Sequence, residues 1–128
     1  MVVDASILHP AVVNPSSRAG QALGGAGTLA APDIYVTEVA NAIRNTLLQG
    51  AISAHHATEA INRLKRLPVV RHASMPLLDR IWQLRSNMTT YDASYAVLAE
   101  RLNVPLLTAD SVFHAVAGLR CNVRFVNL

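Results

Sequence analysis

Cysteine, lysine and aromatic residues are scarce in this chain of 128 residues. The single cysteine, Cys121, excludes an intrachain disulfide framework and a cysteine-rich zinc site. Charged residues make up only 15% of the sequence and apolar residues 52%, a composition that excludes a disordered polymer. We therefore predict a single folded domain spanning residues 1–128, which needs neither disulfides nor metal to hold its core.

The sequence also lacks a long apolar run. Residues 19–32 carry no charge, but this segment is short and rich in glycine and alanine, unlike a membrane span. No basic segment precedes an apolar run at the start of the chain, because Asp4 comes first and Arg18 is the first basic residue. We therefore predict a soluble, cytoplasmic protein with no membrane partner.

Short apolar segments alternate with helical patterns along the chain. Strands are predicted at residues 1–3, 28–31, 69–71, 104–107 and 122–126. Helices are predicted at residues 16–23, 33–48, 53–67, 74–84, 91–102 and 110–117, whereas Pro10 and Pro15 are expected to break a helix that begins at Ala5. This alternation predicts a three-layer α/β domain with a mostly parallel sheet covered on both faces.

Two of the eight acidic residues lie at or just past the carboxyl ends of predicted strands. Asp4 comes after the first strand, and Asp110 lies just beyond the strand that ends at Thr108. Ligands of open α/β sheets bind beyond the carboxyl ends of the strands, where the strand order reverses. If these two strands are neighbours, both carboxylates face one crevice. Glu38 and Asp92 lie early in their helices and reach the crevice if those helices start at the same edge.

Most of these acids also have a purely structural interpretation. Asp92 is favoured near a helix N-terminus by the helix dipole, and Asp110 suits an N-cap. Glu38 lies off the apolar stripe of its helix and could simply face water. Asp4 differs, because it directly follows an apolar strand and should be buried, although no cation lies near it in sequence.

Carboxylates that converge without cysteine or an obvious histidine set favour a hard, oxygen-seeking ion. Mg²⁺ or Mn²⁺ is the natural choice for such a site. An ion of this kind orients and activates a water molecule, and it offsets the charge that builds on a phosphoryl group. The acidic residues therefore predict metal-assisted phosphoester chemistry.

Four segments carry a recognisable pattern. In chain order they read VVDAS at 2–6, APD at 31–33 leading into VTEVANA at 36–42, TYDASYAVLAE at 90–100 and PLLTAD at 105–110. In this order they resemble the PIN-domain ribonucleases, and most closely the VapC-type toxins of bacterial toxin–antitoxin pairs. The tyrosine–aspartate block followed by the threonine–aspartate block is the most specific part of the resemblance.

The resemblance implies an acidic metal site. Its catalytic carboxylates would be Asp4, Glu38, Asp92 and Asp110. Asp4, Asp92 and Asp110 would bind the ion, while Glu38 would complete the site or help position water. Three further residues match positions that help order the site in the family, namely Ser6, Asn41 and Thr108.

The same resemblance implies the fold, the reaction and the partners. The family has a parallel five-stranded sheet in the order 3-2-1-4-5, flanked by helices, which puts the first and fourth strands side by side. The implied reaction is Mg²⁺- or Mn²⁺-dependent hydrolysis of RNA phosphodiesters by an endoribonuclease. The implied partners are an inhibitory antitoxin protein and a second copy of the chain. With 5% aromatic residues, we expect RNA recognition through backbone and shape with little base stacking.

The chain departs from the family pattern at two places, and other functions remain open. Pro10 and Pro15 interrupt the stretch after Asp4, and no further acid follows Asp110 closely, which favours one ion over two. One alternative is a catalytically silent module that acts with an antitoxin as a DNA-binding repressor. A phospho-acceptor receiver domain is disfavoured, because the only lysine, Lys65, lies in a mid-chain helix.

Three smaller expectations concern residues outside the acidic group. Trp82 is expected in the core or in a dimer interface. His55 and His56 are expected at the surface, without a metal. Arg63 and Arg66 share a helix face that we expect to be solvated.

Overall fold

One parallel sheet of five strands organises the chain, for which a computed structural model describes residues 1–114 and 116–128. The strands are β1 (Val2–Val3), β2 (Leu29–Pro32), β3 (Val69–His72), β4 (Leu106–Thr108) and β5 (Val123–Phe125). Their spatial order is β3-β2-β1-β4-β5, and every neighbouring pair is parallel. The fold class and the strand order implied by the family resemblance are therefore confirmed.

Six α-helices lie among the described residues and flank the sheet. They are α1 (Ala5–Val13), α2 (Arg18–Gly24), α3 (Tyr35–Leu48), α4 (Ala54–Arg66), α5 (Leu78–Gln83) and α6 (Thr90–Leu102). The central strands β1 and β4 are buried throughout, as expected for a sheet covered on both faces. None of the described helices is long and apolar enough to cross a membrane.

Hydroxyl side chains cap the start of three helices, α2 at Ser17, α4 at Ser53 and α6 at Thr89. The side chain of Ser53 accepts a hydrogen bond from the backbone N–H of His56, which begins α4. The side chain of Thr89 does the same for the backbone N–H of Asp92 and begins α6. The cap at Thr89 matters for the site, because it fixes Asp92 in the first turn of α6.

The expectation that Pro10 breaks a helix is wrong. Helix α1 continues through Pro10 to Val13, and it buries Ile7, Leu8 and Val12 almost completely. A proline inside a helix costs about 3 kcal/mol, whereas each large apolar side chain that is fully buried contributes about 1.5–3 kcal/mol. Burial of one helix face therefore outweighs the missing hydrogen bond.

Side chains from α4 also hold the end of α1. The guanidinium of Arg63 donates to the carbonyls of Val12 and Val13, and Nε2 of His56 lies 2.8 Å from the Val13 carbonyl. These contacts satisfy carbonyls that lack partners within the helix. Arg63 is half-buried, so the prediction of a fully solvated face holds for Arg66 but not for Arg63.

Two other sequence predictions differ from the structure. The helix predicted at residues 110–117 is a short 3₁₀ turn at Ser111–His114, and position 115 of that prediction lies outside the described residues. A hydrogen bond from the Val112 N–H to Oδ1 of Asp110 favours this tighter turn. Trp82 is 57% exposed, so its placement in the core is wrong, while its alternative placement in a dimer interface stays a prediction.

Candidate active site

The acidic site lies where β1 and β4 run side by side. Val3 is the register partner of Leu107, and the backbone N–H of Asp4 donates to the Leu107 carbonyl at 2.9 Å. Asp4 therefore emerges next to Thr108, at the carboxyl edge of both strands. The strand order reverses at this position, which is where open α/β sheets bind ligands.

Two hydroxyl groups hold the carboxylate of Asp4. This residue is only 4% exposed, and its Oδ2 accepts from Ser6 Oγ at 2.7 Å and from Thr108 Oγ1 at 2.8 Å. Each hydroxyl has one proton, so both protons are used on Asp4 and the 3.2 Å contact between the two hydroxyls is not a further bond. Their lone pairs accept from the backbone N–H groups of Ala109 and Asp110. Ser6 and Thr108 thus tie Asp4 to the backbone that carries Asp110.

Glu38 lies in the first turn of α3 and has a buried partner on α6. The hydroxyl of Tyr95 donates to Glu38 Oε1 at 2.6 Å, and the Tyr95 side chain is completely buried. Tyr95 was not among the residues predicted for the site. The available signal was its spacing from Asp92, because residues three apart share one face of a helix.

Asp92 and Asp110 complete the group of carboxylates. Asp92 is half-buried in the first turn of α6, and its backbone N–H is capped by Thr89. Asp110 is half-buried beyond β4, where Oδ1 accepts from the Val112 N–H at 3.0 Å. Asp110 therefore does act as a cap, as its structural interpretation proposed, while it faces the same edge of the sheet.

Burial and neighbouring carboxylates raise the pKa of three acids at this edge, Asp4, Glu38 and Asp92. Burial raises the pKa of Asp4, which the hydroxyl hydrogen bonds oppose and the charge of Asp110 reinforces. Burial also raises the pKa of Asp92, with a further contribution from the charges of Asp4 and Asp110. The pKa of Glu38 is raised by burial and by the charges of Asp4 and Asp92, against the lowering effect of the Tyr95 hydrogen bond. Such mutual effects require that the carboxylates lie close together.

The donor set fits a hard divalent cation by its chemistry, since it consists of carboxylate and hydroxyl oxygens. However, among the residues that the structure describes, no three His, Cys, Asp or Glu side chains form a group that could hold a metal ion as they stand. The structure thus brings the predicted acids to one edge without closing them into a ligand shell. Asp4 is held by its hydroxyl partners, so binding of an ion would require the other carboxylates to move towards it.

Asn41 is the predicted site residue that the structure does not join to this group. It lies one turn after Glu38 on α3, its side chain is exposed, and it takes part in none of the hydrogen bonds described above. Ser6 and Thr108, in contrast, donate hydrogen bonds to Asp4.

Comparison with known proteins identifies the family. Residues 1–119 match the family model of the PIN domain. Ribonuclease VapC1 of Mycobacterium tuberculosis is 42% identical over 97 residues, which cover 75% of this chain and 73% of the relative. Ribonuclease VapC9 of the same species is 35% identical over 128 residues, which cover 98% of each protein. The chain belongs to the PIN-domain family, in its VapC group of ribonucleases.

A solved structure supports the same fold. The crystal structure of Mycobacterium tuberculosis VapC20, a toxin that cleaves the sarcin–ricin loop, superposes with a TM-score of 0.63 at 18% identity. The match covers 92% of this chain and 95% of that one. The resemblance noted in the sequence is therefore confirmed for the family and for the fold.

Proposed function

We propose that the chain is a Mg²⁺- or Mn²⁺-dependent endoribonuclease that acts as the toxin of a toxin–antitoxin pair. The carrying observation is the group of mutually interacting carboxylates around the buried Asp4, at the edge where β1 and β4 meet. Ribonuclease names among its relatives support RNA as the substrate. The presence of all four acids favours a catalytic role over a silent binding module.

In this proposal Asp4, Asp92 and Asp110 hold the ion. When bound, a divalent ion acts as a Lewis acid towards the phosphoryl oxygen and lowers the pKa of its bound water. The hydroxyls of Ser6 and Thr108 keep the Asp4 carboxylate in one orientation. A fixed orientation lowers the reorganisation needed when negative charge develops on the substrate.

Glu38 would act on the attacking water. The Tyr95 hydroxyl occupies Oε1 of Glu38, so the carboxylate is oriented and its other oxygen remains available to accept a hydrogen bond. Burial and neighbouring charges raise the pKa of Glu38, which brings this carboxylate closer to the value that suits proton transfer near neutral pH.

The test is cleavage of a defined RNA by the purified chain with Mg²⁺, with Mn²⁺ and with a chelator. We expect cleavage with either ion, none with the chelator, and a loss of at least about 100-fold in Asp4→Asn and Asp92→Asn. Glu59→Gln is the matched control, because Glu59 is an exposed acid on α4 paired with His55. Full activity in either aspartate variant contradicts the assignment, provided that thermal melts show folded proteins.

The partners follow from the same proposal. We propose a cognate antitoxin protein that blocks the acidic edge, a homodimer of the chain in solution, and a cytoplasmic location. Light scattering would report the mass of the isolated chain, and protection of RNA by a co-purified protein would report the antitoxin. If the antitoxin-free chain cuts no RNA with either ion but the complex binds DNA, the silent repressor module is the better assignment.

A further inference from the structure

Two aromatic rings stack face to face on the surface. The rings of His114 and Phe125 have centroids 3.6 Å apart and planes inclined by only 6°. Both residues are exposed, Phe125 to 39%. Aromatic pairs usually prefer offset or edge-to-face arrangements, so this nearly cofacial pair is unusual, and both rings remain partly in contact with water.

The aromatic pair lies beside the acidic site. Phe125 ends β5 and is the register partner of Thr108, whose hydroxyl donates to Asp4. Neighbouring strands are about 4.8 Å apart, and register partners project from the same face of the sheet. His114 ends the 3₁₀ turn that begins directly after Asp110. Both rings are thus carried by segments that leave the sheet at the edge where the carboxylates lie.

The negative charge of the site limits how RNA can bind close to it. Four carboxylates repel the phosphates of RNA, so affinity close to the cleaved bond has to come from uncharged contacts or from a bound cation. Stacking of a base on an aromatic ring needs no charge and tolerates any base, because every base has a π-face. Arg18 adds a cation nearby, since it donates to the carbonyl of Asn127, two residues beyond Phe125.

We propose that His114 and Phe125 form a stacking subsite for one unpaired nucleobase of the RNA, next to the bond that is cleaved. This inference rests on the proposed ribonuclease function. The low aromatic content predicted little base stacking, whereas the structure places two of the few suitable rings together at the relevant edge. Because stacking is tolerant of base identity, the subsite selects for a base that is unpaired and accessible.

The test is a binding cycle that removes the ring and the base separately. Asp4→Asn serves as the background, so that the RNA stays intact during the measurement. Its affinity for end-labelled single-stranded RNA is measured in Mg²⁺ buffer by fluorescence anisotropy, with an abasic nucleotide moved along the RNA. We expect one abasic position to weaken binding about 5- to 150-fold, the range for one lost stack, and Phe125→Leu to remove this sensitivity.

Matched variants separate stacking from folding. Phe125→Tyr keeps a ring and should keep the sensitivity to the abasic position, while His114→Ala, on the exposed 3₁₀ turn, should reduce it. Trp82→Leu removes a different exposed aromatic on α5 and should leave it unchanged. The subsite is refuted if, at every position, removing the base weakens RNA binding equally in the Asp4→Asn background and in the same background with Phe125→Leu.

Cleavage by the chain with Asp4 intact distinguishes the two proposals. If that chain cuts no RNA with Mg²⁺ or Mn²⁺, the ribonuclease proposal fails, while the binding cycle still decides whether the rings stack on a base. If the chain cuts RNA and Phe125→Leu cuts intact and abasic RNA with the same preference as the parent, the ribonuclease proposal stands and the stacking subsite is refuted.

Discussion

Replacing Asp4 by asparagine should stabilise the metal-free protein while it abolishes catalysis. Asparagine has nearly the same shape, and its amide oxygen can still accept from Ser6 and Thr108. The change removes a negative charge from a side chain that is only 4% exposed and that feels the charge of Asp110. The raised pKa of Asp4 means that the hydroxyl hydrogen bonds do not fully offset the burial of this charge.

The sign and size of the effect follow from proton linkage. Because the pKa of Asp4 is higher in the folded state, the folded state binds this proton more tightly than the unfolded chain does. The resulting stability is present below the unfolded pKa, near 3.8, and is lost as the pH rises through the folded pKa. Each unit of difference between the folded and unfolded pKa of Asp4 changes the free energy of unfolding at pH 7 by about 1.4 kcal/mol. We therefore expect Asp4→Asn to be more stable than the parent at pH 7, and each kcal/mol gained would raise the melting temperature by about 3–5 °C.

The assay is thermal unfolding of both proteins in chelator between pH 4 and pH 8. The gain in Asp4→Asn should be smallest at the acid end of this range and should grow towards neutral pH, because the raised pKa of Asp4 favours its neutral form as the pH falls. A variant that is less stable than the parent at pH 7 would show that the ionised carboxylate is stabilised by its hydroxyl partners. That result would contradict the conclusion that burial of the Asp4 charge destabilises the folded state.

Three further outcomes are expected. Tyr95→Phe removes the hydroxyl that donates to Glu38, so the free energy of unfolding measured in urea should fall by about 1–2 kcal/mol. Carbon NMR of the Glu38 carboxyl should report a higher pKa, because the lost hydrogen bond lowers it. Arg80→Gln breaks the two-bond ion pair between Arg80 and Glu100, and we expect a loss of about 1–3 kcal/mol in the same assay. Millimolar Mg²⁺ or Mn²⁺ should raise the melting temperature at pH 7 in the parent chain and much less in Asp92→Asn, because an ion that binds only the folded state stabilises it. Equal shifts in the parent and in Asp92→Asn would count against an ion at this edge.

The strand pattern predicted Asp4 and Asp110 at the ends of two strands, whereas the family resemblance supplied the adjacency that makes them meet. Asp4 directly follows β1 and Asp110 lies two residues beyond β4, and parallel strands present their carboxyl ends at one edge of the sheet. Burial of Asp4 was also predictable, because it extends an apolar strand into a stretch of small side chains. These features are local in sequence, which is why reading the chain alone could identify them.

Contacts between distant segments were not predictable in this way. The bond between Tyr95 and Glu38 joins α6 to α3, and nothing in either segment alone indicates it. The stacking of His114 on Phe125 depends on the register of β5, which the alternation of strands and helices does not determine. Pro10 was misjudged for a related reason, since tertiary burial of α1 outweighs a local preference against helix.

The central claim is that Asp4, Asp92 and Asp110 act together on one divalent ion. The most direct measurement is the binding of Mn²⁺ by electron paramagnetic resonance, which counts free and bound ion in solution. We expect about one bound Mn²⁺ per chain, lost in each of Asp4→Asn, Asp92→Asn and Asp110→Asn and retained in Glu59→Gln. Absence of bound Mn²⁺ in the parent chain, or unchanged binding in any of the three aspartate variants, would contradict it.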